Sequence, residues 1–527
     1  MRNRLRAGVV VLVYFLVACV IGALMGSAEA RAVLPPPGAV APCDFNRDGF
    51  VNGDDFDGFV AAFRAGDSAA DFTGDGFVTG EDYDAFVAAF TAASPPRDAY
   101  TDLTPPAGSV VWYVSADGSD SGLGTEAIPL KSPRLAVSRL RHLSTDQVRL
   151  ARGQTFVGGL GQCKAGGSGP GLNIVISSYG TGPRPIVLCR EESGIEFSGG
   201  GGSPASVSNV VIAGIDFRSE GRSPGSQWSG IYFGRAGANL SIEDCSFDGF
   251  KDNVNIQGPD GSPIQNVRLY RCNVSNAWGV EGVSGHSQGV YVHNVAGFLA
   301  DGCVLDHNGW SESVPGAIAT IFNHNFYLTG TVSGVTIRDC ITARASSHGL
   351  SANRDAIVSG NLSWRNPYHF VRTMGTEFRD NVVLESGDIG PADRGNGVVV
   401  GGVYAAGDSP ALCSVVGNIF SGKTARGLNA AIQVGAGPTL VKNNIVDDWP
   451  GWNVLIDPPG VGGVVQVANE FSSPAWTRRT LDDYAHSIGL ADADAFVRSA
   501  RANNRRGWDT RYTAAAAAAF VRAGYGR

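Results

Sequence analysis

The sequence predicts an all-β fold, a three-sheet solenoid of stacked parallel coils, on three observations. An eight-residue phrase returns between about Gly230 and Phe471, as in Leu240-Ser-Ile-Glu-Asp-Cys-Ser-Phe247, Val267-Arg-Leu-Tyr-Arg-Cys-Asn-Val274 and Thr439-Leu-Val-Lys-Asn-Asn-Ile-Val446. Its sixth position reads Cys245, Cys272, Cys303, Cys340, then Asn361, Asn381, Asn418, Asn444 and Asn469, with neighbours 20 to 37 residues apart. That spacing is close to the repeat length of a solenoid. A further short strand precedes each phrase, for example Gly289-Val-Tyr-Val292 and Asn325-Phe-Tyr-Leu328, which makes three strands per coil.

Each part of the phrase has a physical reading. Positions one to four alternate as a strand with one buried face does. Position five is mostly Asp, Gly or Asn, residues that tolerate a left-handed backbone, so the chain bends there. Position six then stacks on its equal in the next coil. This arrangement resembles the right-handed parallel β-helix of the pectate lyase type, with its asparagine ladder. The resemblance implies a secreted, carbohydrate-active protein acting on a polysaccharide.

Composition agrees. The chain has 527 residues, 72 of them Gly, with 17% charged residues and a net charge of −8. Many turns and few charges suit a β-solenoid, and no basic stripe argues for nucleic acid. Residues 1–30 read as a cleaved signal peptide: basic Met1 to Arg6, an apolar run from Ala7 to Met25, and Ala28-Glu29-Ala30 as a processing site. Leu16-Val-Ala-Cys19 offers lipidation as an alternative anchor. The expectation is a secreted or cell-surface monomer. Among the cysteines outside the ladder, Cys163 and Cys189 are the candidates for a bridge.

Residues 31–42 form a Pro- and Ala-rich linker. Residues 43–93 then carry one unit twice, at an offset of 27. The first copy aligns Asp44, Asn46, Asp48, the backbone carbonyl of Phe50, and Asp55; the second aligns Asp71, Thr73, Asp75, the carbonyl of Phe77, and Asp82. Oxygen ligands at these positions with Gly at the sixth form the EF-hand calcium arrangement. Each loop leads into an apolar helix, Phe59-Val-Ala-Ala-Phe63 and Phe86-Val-Ala-Ala-Phe90, with Asp at the twelfth position instead of Glu. The pair resembles a dockerin, a small α-helical Ca²⁺ module. That resemblance implies a cohesin-like protein partner; an intramolecular prop or a sorting tag fits the same residues.

A second linker spans 94–108, and the β-helix domain is expected over 109–475. Leu135, Val137, Leu140 and Leu143 recur at roughly helical spacing, predicting a helix that plugs the first coil, since end coils need a cover. Residues 476–527 read as a helical C-terminal cap, its last helix closed by Gly524.

Six of the eight histidines lie between 286 and 369. With Val290, Phe326, Leu350 and Val371 taken as inward, Tyr291, Tyr327, Ser351 and Arg372 follow on the outer face, with His293 and Asn353 beyond. Gln288, His324, His348 and His369 then stand at the corner. Two long loops feed this face and carry Trp278, Glu281, His286, Trp310 and Glu312. The tryptophans suit sugar rings. β-Elimination on a uronate needs a base, a cation for the carboxylate and an acid; His293, His324 or His348, Arg354 or Arg372, and Tyr291 or Tyr327 supply these types. Glycoside hydrolysis needs two carboxylates, for which Glu281, Glu312, Asp252 and Asp306 are available, all read as loop residues. The corner histidines serve equally as a structural polar stack, and the tyrosines as cross-coil packing. A non-catalytic polysaccharide-binding or surface role is the alternative function.

Overall fold

The computed structural model describes residues 43, 45, 53–93, 100–199, 204–354, 356–387, 396–400, 413–423, 430–457 and 459–527. The expected leader, the 31–42 linker and Asp44, Asn46, Asp48 and Phe50 of the first calcium loop lie outside these residues. So do the side chains of Asp55, Asn353, Arg354 and Arg372. The chain divides into two compact units, 1–99 and 100–527.

In the first unit, helices α1 (Gly53–Ala65) and α2 (Gly80–Ala93) repeat each other. Phe59 and Phe86, equivalent in the two copies and both fully buried, stack with ring centroids 3.9 Å apart at 1°. Phe45 and Phe72 meet Phe86 edge-on at 6.3 and 5.3 Å. Four rings thus build most of a core too small to be stable on helix propensity alone.

The second unit is a right-handed parallel β-helix. Its described strands form sheets of 13, 12 and 10 strands, and every pairing between them is parallel. Position five of the phrase is left-handed along the stack: φ is +52° at Asp244, +52° at Asp339, +56° at Asp380 and +68° at Gly417. Each bend turns the chain from the 13-stranded into the 12-stranded sheet. It also aims the sixth residue inward. Asn361, Asn381, Asn418 and Asn444 each donate from Nδ2 to the Oδ1 of the next asparagine at 2.9–3.0 Å. Each Oδ1 also accepts the backbone N–H of the preceding rung, as Asn381 does from Asn361 at 3.0 Å. The ladder therefore satisfies buried amides and backbone together.

Cys245, Cys272, Cys303 and Cys340 continue this column as buried free thiols. The expected Cys163–Cys189 bridge does not form. Instead the Cys163 Sγ donates to the Ala165 carbonyl at 3.6 Å and the Cys189 Sγ to the Val187 carbonyl at 3.9 Å. Amide and thiol rungs should differ in what their loss costs. Asn381→Leu strands the Asn361 amide and backbone N–H and should cost about 1–3 kcal/mol in denaturant unfolding. Cys340→Ser should cost less, because serine still offers an acceptor to the Cys303 N–H, now 3.4 Å from the Cys340 Sγ.

The entry helix α3 (Pro133–Ser138) is capped by Ser132, with Pro133 at its first turn. Ala136, Val137 and Leu140 pack into the first coils. It is shorter than the spacing predicted. Leu143 has left the helix, with φ +59° and 66% exposure, because its N–H is taken by the Gly166 carbonyl.

The C-terminal helices α4 (Leu481–Ser487), α5 (Ala493–Ala502) and α6 (Ala514–Gly524) are not an end cap. They lie along the outside of the 12-stranded sheet, where Leu481, Phe496, Val497 and Val521 pack on Val304, Leu362, Val382 and Ile445. Strand alternation explains this position. Leu305, Val383 and Val446 face the solenoid core, while the preceding residues Val304, Val382 and Ile445 face out and need cover. Val465, Val467 and Phe471 of the last coil remain 41–52% exposed. Gly524 lies inside α6, whose C-cap is Tyr525. A Cβ at Gly524 would meet the Arg479 side chain at 2.9 Å, so close approach of that side chain accounts for this glycine.

Candidate functional site

The outer face of the ten-stranded sheet carries the predicted rows. Strand pairing aligns Tyr232, Asn255, Tyr291, Tyr327 and Ser351 on successive coils, with Gln257, His293 and Thr329 beside them. At the strand entrances Asp252, Gln288, His324, His348, Tyr368 and Asn396 are in register. The rings converge. Tyr291 lies 5.8 Å from Tyr327 and 6.4 Å from His293, and His324 lies 4.8 Å from Tyr327. All stand on strands, so packing and the sheet ladder fix their positions.

Two register expectations are corrected. Phe370, not Val371, is the inward partner of Leu350, and Val371 pairs with Ser351. Arg372 therefore pairs with Ala352 and Val400, in the row of buried Val292 and Leu328, and leaves the outer row assigned to it. His369 moves inward with it, to the row of Asn253, Gly289 and Asn325, and Tyr368 takes the corner beside His348. His369 is fully buried, its Nδ1 is 2.6 Å from Ser363 Oγ, and burial depresses its pKa to about 3.

A histidine held neutral in this way has a pH signature. Its folded pKa lies below the ordinary value near about 6.5, so its stabilising effect is complete above that value and is lost as pH falls towards about 3. The expected loss is about 1.4 kcal/mol per pH unit in that window. A His369→Gln variant should show a flatter pH dependence of its melting temperature there than the parent chain.

The entrance row is a hydrogen-bonded ladder. Asp252 Oδ1 accepts the Gln288 N–H at 2.9 Å, Gln288 Oε1 accepts the His324 N–H at 2.8 Å, and His324 Nδ1 accepts the His348 N–H at 3.3 Å. The His324 and His348 rings stack at 4.2 Å and 9°. With Nδ1 accepting, His324 keeps its proton on Nε2. His293 differs: its Nδ1 is buried with no hydrogen-bond partner. Tyr291 is half-buried, and burial, Tyr327 and Asp252 together raise its pKa, so it stands as a neutral phenol at neutral pH.

The carboxylates are placed differently from the expectation that all lie on loops. Asp252 and Asp306 begin or end strands and are buried. Burial raises the Asp252 pKa, with Lys251 Nζ 3.2 Å away. Asp306 is held by Arg344 and by Arg501 of α5, away from the sheet face. Glu281 is exposed, and Glu312 pairs with His307 at 2.9 Å. Lys251 gave no signal in the sequence. It is a lone cation outside the repeated phrase, and only the fold brings it to the foot of the Tyr291 face.

The loops wall this face. Both tryptophans are engaged within the protein: Trp278 lies under the Arg222 guanidinium at 3.5 Å, and Trp310 Nε1 donates to the Arg344 carbonyl at 3.0 Å. The exposed apolar surface comes from Val283, Ile318, Ile321 and Phe322, with Phe322 stacked on His286 at 4.7 Å and 13°.

In the first unit the second calcium loop is described. Carboxylate oxygens of Asp71, Asp75 and Asp82 lie within 4.8 Å of one another. Asp71 accepts N–H groups of Gly74 and Gly76 at 2.8 Å, and Asp82 accepts those of Thr79 and Thr73 at 2.7 and 2.9 Å. These backbone donors, Thr79 first, hold the Asp82 pKa down at about 2. Gly76, with φ +87°, makes the turn that closes the loop. Three converging carboxylates fit a hard divalent cation.

No family model matches the chain, and no curated protein matches it. Among solved structures it is similar to a rhamnogalacturonan lyase at 13% identity, covering 69% of this chain and 87% of that one, with a TM-score of 0.40. It is similar to pectate lyase Pel9A at 12% identity, over 72% and 86% of the two chains, with a TM-score of 0.41. A third similar structure, PfbA, a surface adhesin of Streptococcus pneumoniae, is 11% identical over 64% and 84%, with a TM-score of 0.38.

Proposed function

We propose that the chain is an exported, carbohydrate-active protein that binds a uronate-containing polysaccharide along the outer face of the ten-stranded sheet and cleaves it by β-elimination. The observation that carries this reading is the convergence of Tyr291, His293, Tyr327 and His324 on rigid strands beneath apolar loops. His293 is the base for the proton next to the carboxylate, through Nε2, since its Nδ1 is buried. Tyr291, kept protonated, is the acid for the leaving oxygen. Lys251 meets the substrate carboxylate, with Arg354 as a further candidate, and His324 donates from Nε2. Hydrolysis is supported less well, since Glu312 is engaged with His307 and Asp306 with two arginines. Among the described residues no helix is long and apolar enough to cross a membrane. Incubation with polygalacturonate, alginate and rhamnogalacturonan should release unsaturated, ultraviolet-absorbing ends from one of them. New reducing ends without that absorbance would overturn elimination, and retention on a polymer column without any product would favour the binding role.

Residues 43–93 form, in the same proposal, a dockerin-like Ca²⁺ module. Asp71, Thr73, Asp75, the Phe77 carbonyl and Asp82 hold one ion, with the equivalent residues of the first copy holding another. A cohesin-like protein is the proposed partner. Calcium added to chelator-treated protein should protect this segment from protease, and Asp71→Ala with Asp82→Ala should abolish most of that protection. Equal cleavage with and without calcium would refute it.

A further inference from the structure

A second cleft, of about 970 Å³, lies on the other side of the β-helix, between the 12-stranded sheet and the end of α5. Its size is at the upper end of ordinary ligand clefts, about 300–1,000 Å³. Six arginines line it against three carboxylates. Two of the carboxylates are already neutralised: Asp216 by Arg218 at 2.7 Å and Asp248 by Arg501 at 3.3 Å.

The remaining positive charge has few partners among the described residues. Arg152 donates to neutral groups, the Gly182 carbonyl at 2.8 Å and Ser178 Oγ at 3.0 Å. Arg506 donates to the Gly180 carbonyl at 2.6 Å and is otherwise exposed. Arg498 is exposed, with Asp492 as its carboxylate contact at 3.9 Å. Arg184, its side chain 11% exposed, is anchored by Asp244 at 2.5 Å and donates to the Asn503 carbonyl at 2.8 Å, while its Nε is buried without a hydrogen-bond partner. Burial first, then the charges of Arg506 and Arg184, lower the Arg152 pKa against the opposing pull of Asp244, as expected where like charges gather. Gln154, Asn273 and Asn504 add amides to the same lining, and amides pair with sugar hydroxyls.

We propose that this cleft is a second, non-catalytic site that takes a saccharide segment bearing carboxylate or sulfate groups. Guanidinium groups bind such anions in bidentate fashion, and Arg152 and Arg506 line the cleft bonded to neutral oxygens. The saccharide part rests on the function proposed above; the anion part does not. A chain held in this cleft would be tethered to the solenoid while another part occupies the opposite face, raising its effective concentration there.

Isothermal titration of the full chain tests this with three probes: a galacturonate oligomer, a sulfated oligosaccharide and inorganic sulfate. Lys442→Ala, an exposed cation outside the cleft, should bind a charged oligosaccharide as the parent does, whereas Arg498→Ala with Arg506→Ala should weaken binding about tenfold or more. Arg152→Gln should weaken it as well. Both oligosaccharides binding equally would identify charge density as the recognised feature; one alone would name the anionic group. Binding of inorganic sulfate only would overturn the saccharide site in favour of a small-anion site. Saturable binding untouched by the arginine variants, or no binding of any probe, would overturn the proposal outright. Failure of the sheet face is read separately, as absence of product with the titration unchanged.

Discussion

Tyr291→Phe is expected to lower the turnover of a confirmed uronate polymer by about 10²–10⁴, the usual effect of losing a general acid. The melting temperature should barely move, because the ring is only half-buried and its packing survives the loss of the hydroxyl. Such changes stay within about 0.5 kcal/mol. His293→Ala should behave likewise, since its Nδ1 holds nothing in place. His324→Ala is the internal contrast. It removes the acceptor of the His348 N–H and a stacked ring, so it should lower stability as well as rate. Glu281→Gln and Glu312→Gln should retain activity within a few fold. If either glutamine variant were dead while Tyr291→Phe stayed active, the chemistry would be hydrolysis, and the base and acid roles of His293 and Tyr291 would be wrong.

The coil architecture was legible because its signals are local. Asp244, Asp339 and Gly417 bend the chain, and Asn381 stacks on Asn418, wherever the phrase occurs. The site was only partly legible. Tyr291, His293, His324 and Tyr327 stand as expected, since the Val290 and Phe326 strands alternate cleanly between apolar and polar residues. Tyr368-His-Phe-Val-Arg372 offers no such alternation, and a slip of one residue exchanges the two faces of a strand. That slip put His369 at the corner and Arg372 on the outer row. Trp278 was read as a sugar platform because sequence cannot show that Arg222 already covers it. The arginine cleft was invisible for a similar reason: its residues come from segments as far apart as 152 and 506.

The second large effect concerns Asp306, which the sequence offered as a hydrolytic carboxylate. In the structure it is fully buried, accepts from Arg344 Nε at 2.8 Å and Nη2 at 2.6 Å, and accepts from Arg501 Nη1 at 3.0 Å. Arg501 belongs to α5, so this carboxylate clamps the helical layer to the coil beneath it. Asp306→Ala would leave two guanidinium groups, 25% and 22% exposed, without their main counter-charge. Breaking one partner of a buried ion cluster costs about 3–5 kcal/mol, far more than the cluster itself contributes relative to an apolar packing. Denaturant unfolding should show that loss, with residues 481–524 becoming protease-sensitive first. Arg344 keeps Asp494 and Arg501 keeps Asp248, so the layer should loosen without full unfolding of the solenoid. Arg501→Met should cost less, because methionine packs against the apolar surface that α5 already covers and leaves Asp306 its bidentate Arg344. Should Asp306→Ala instead abolish activity at unchanged stability, the carboxylate would be catalytic and the active face would have to move to the helical side of the β-helix.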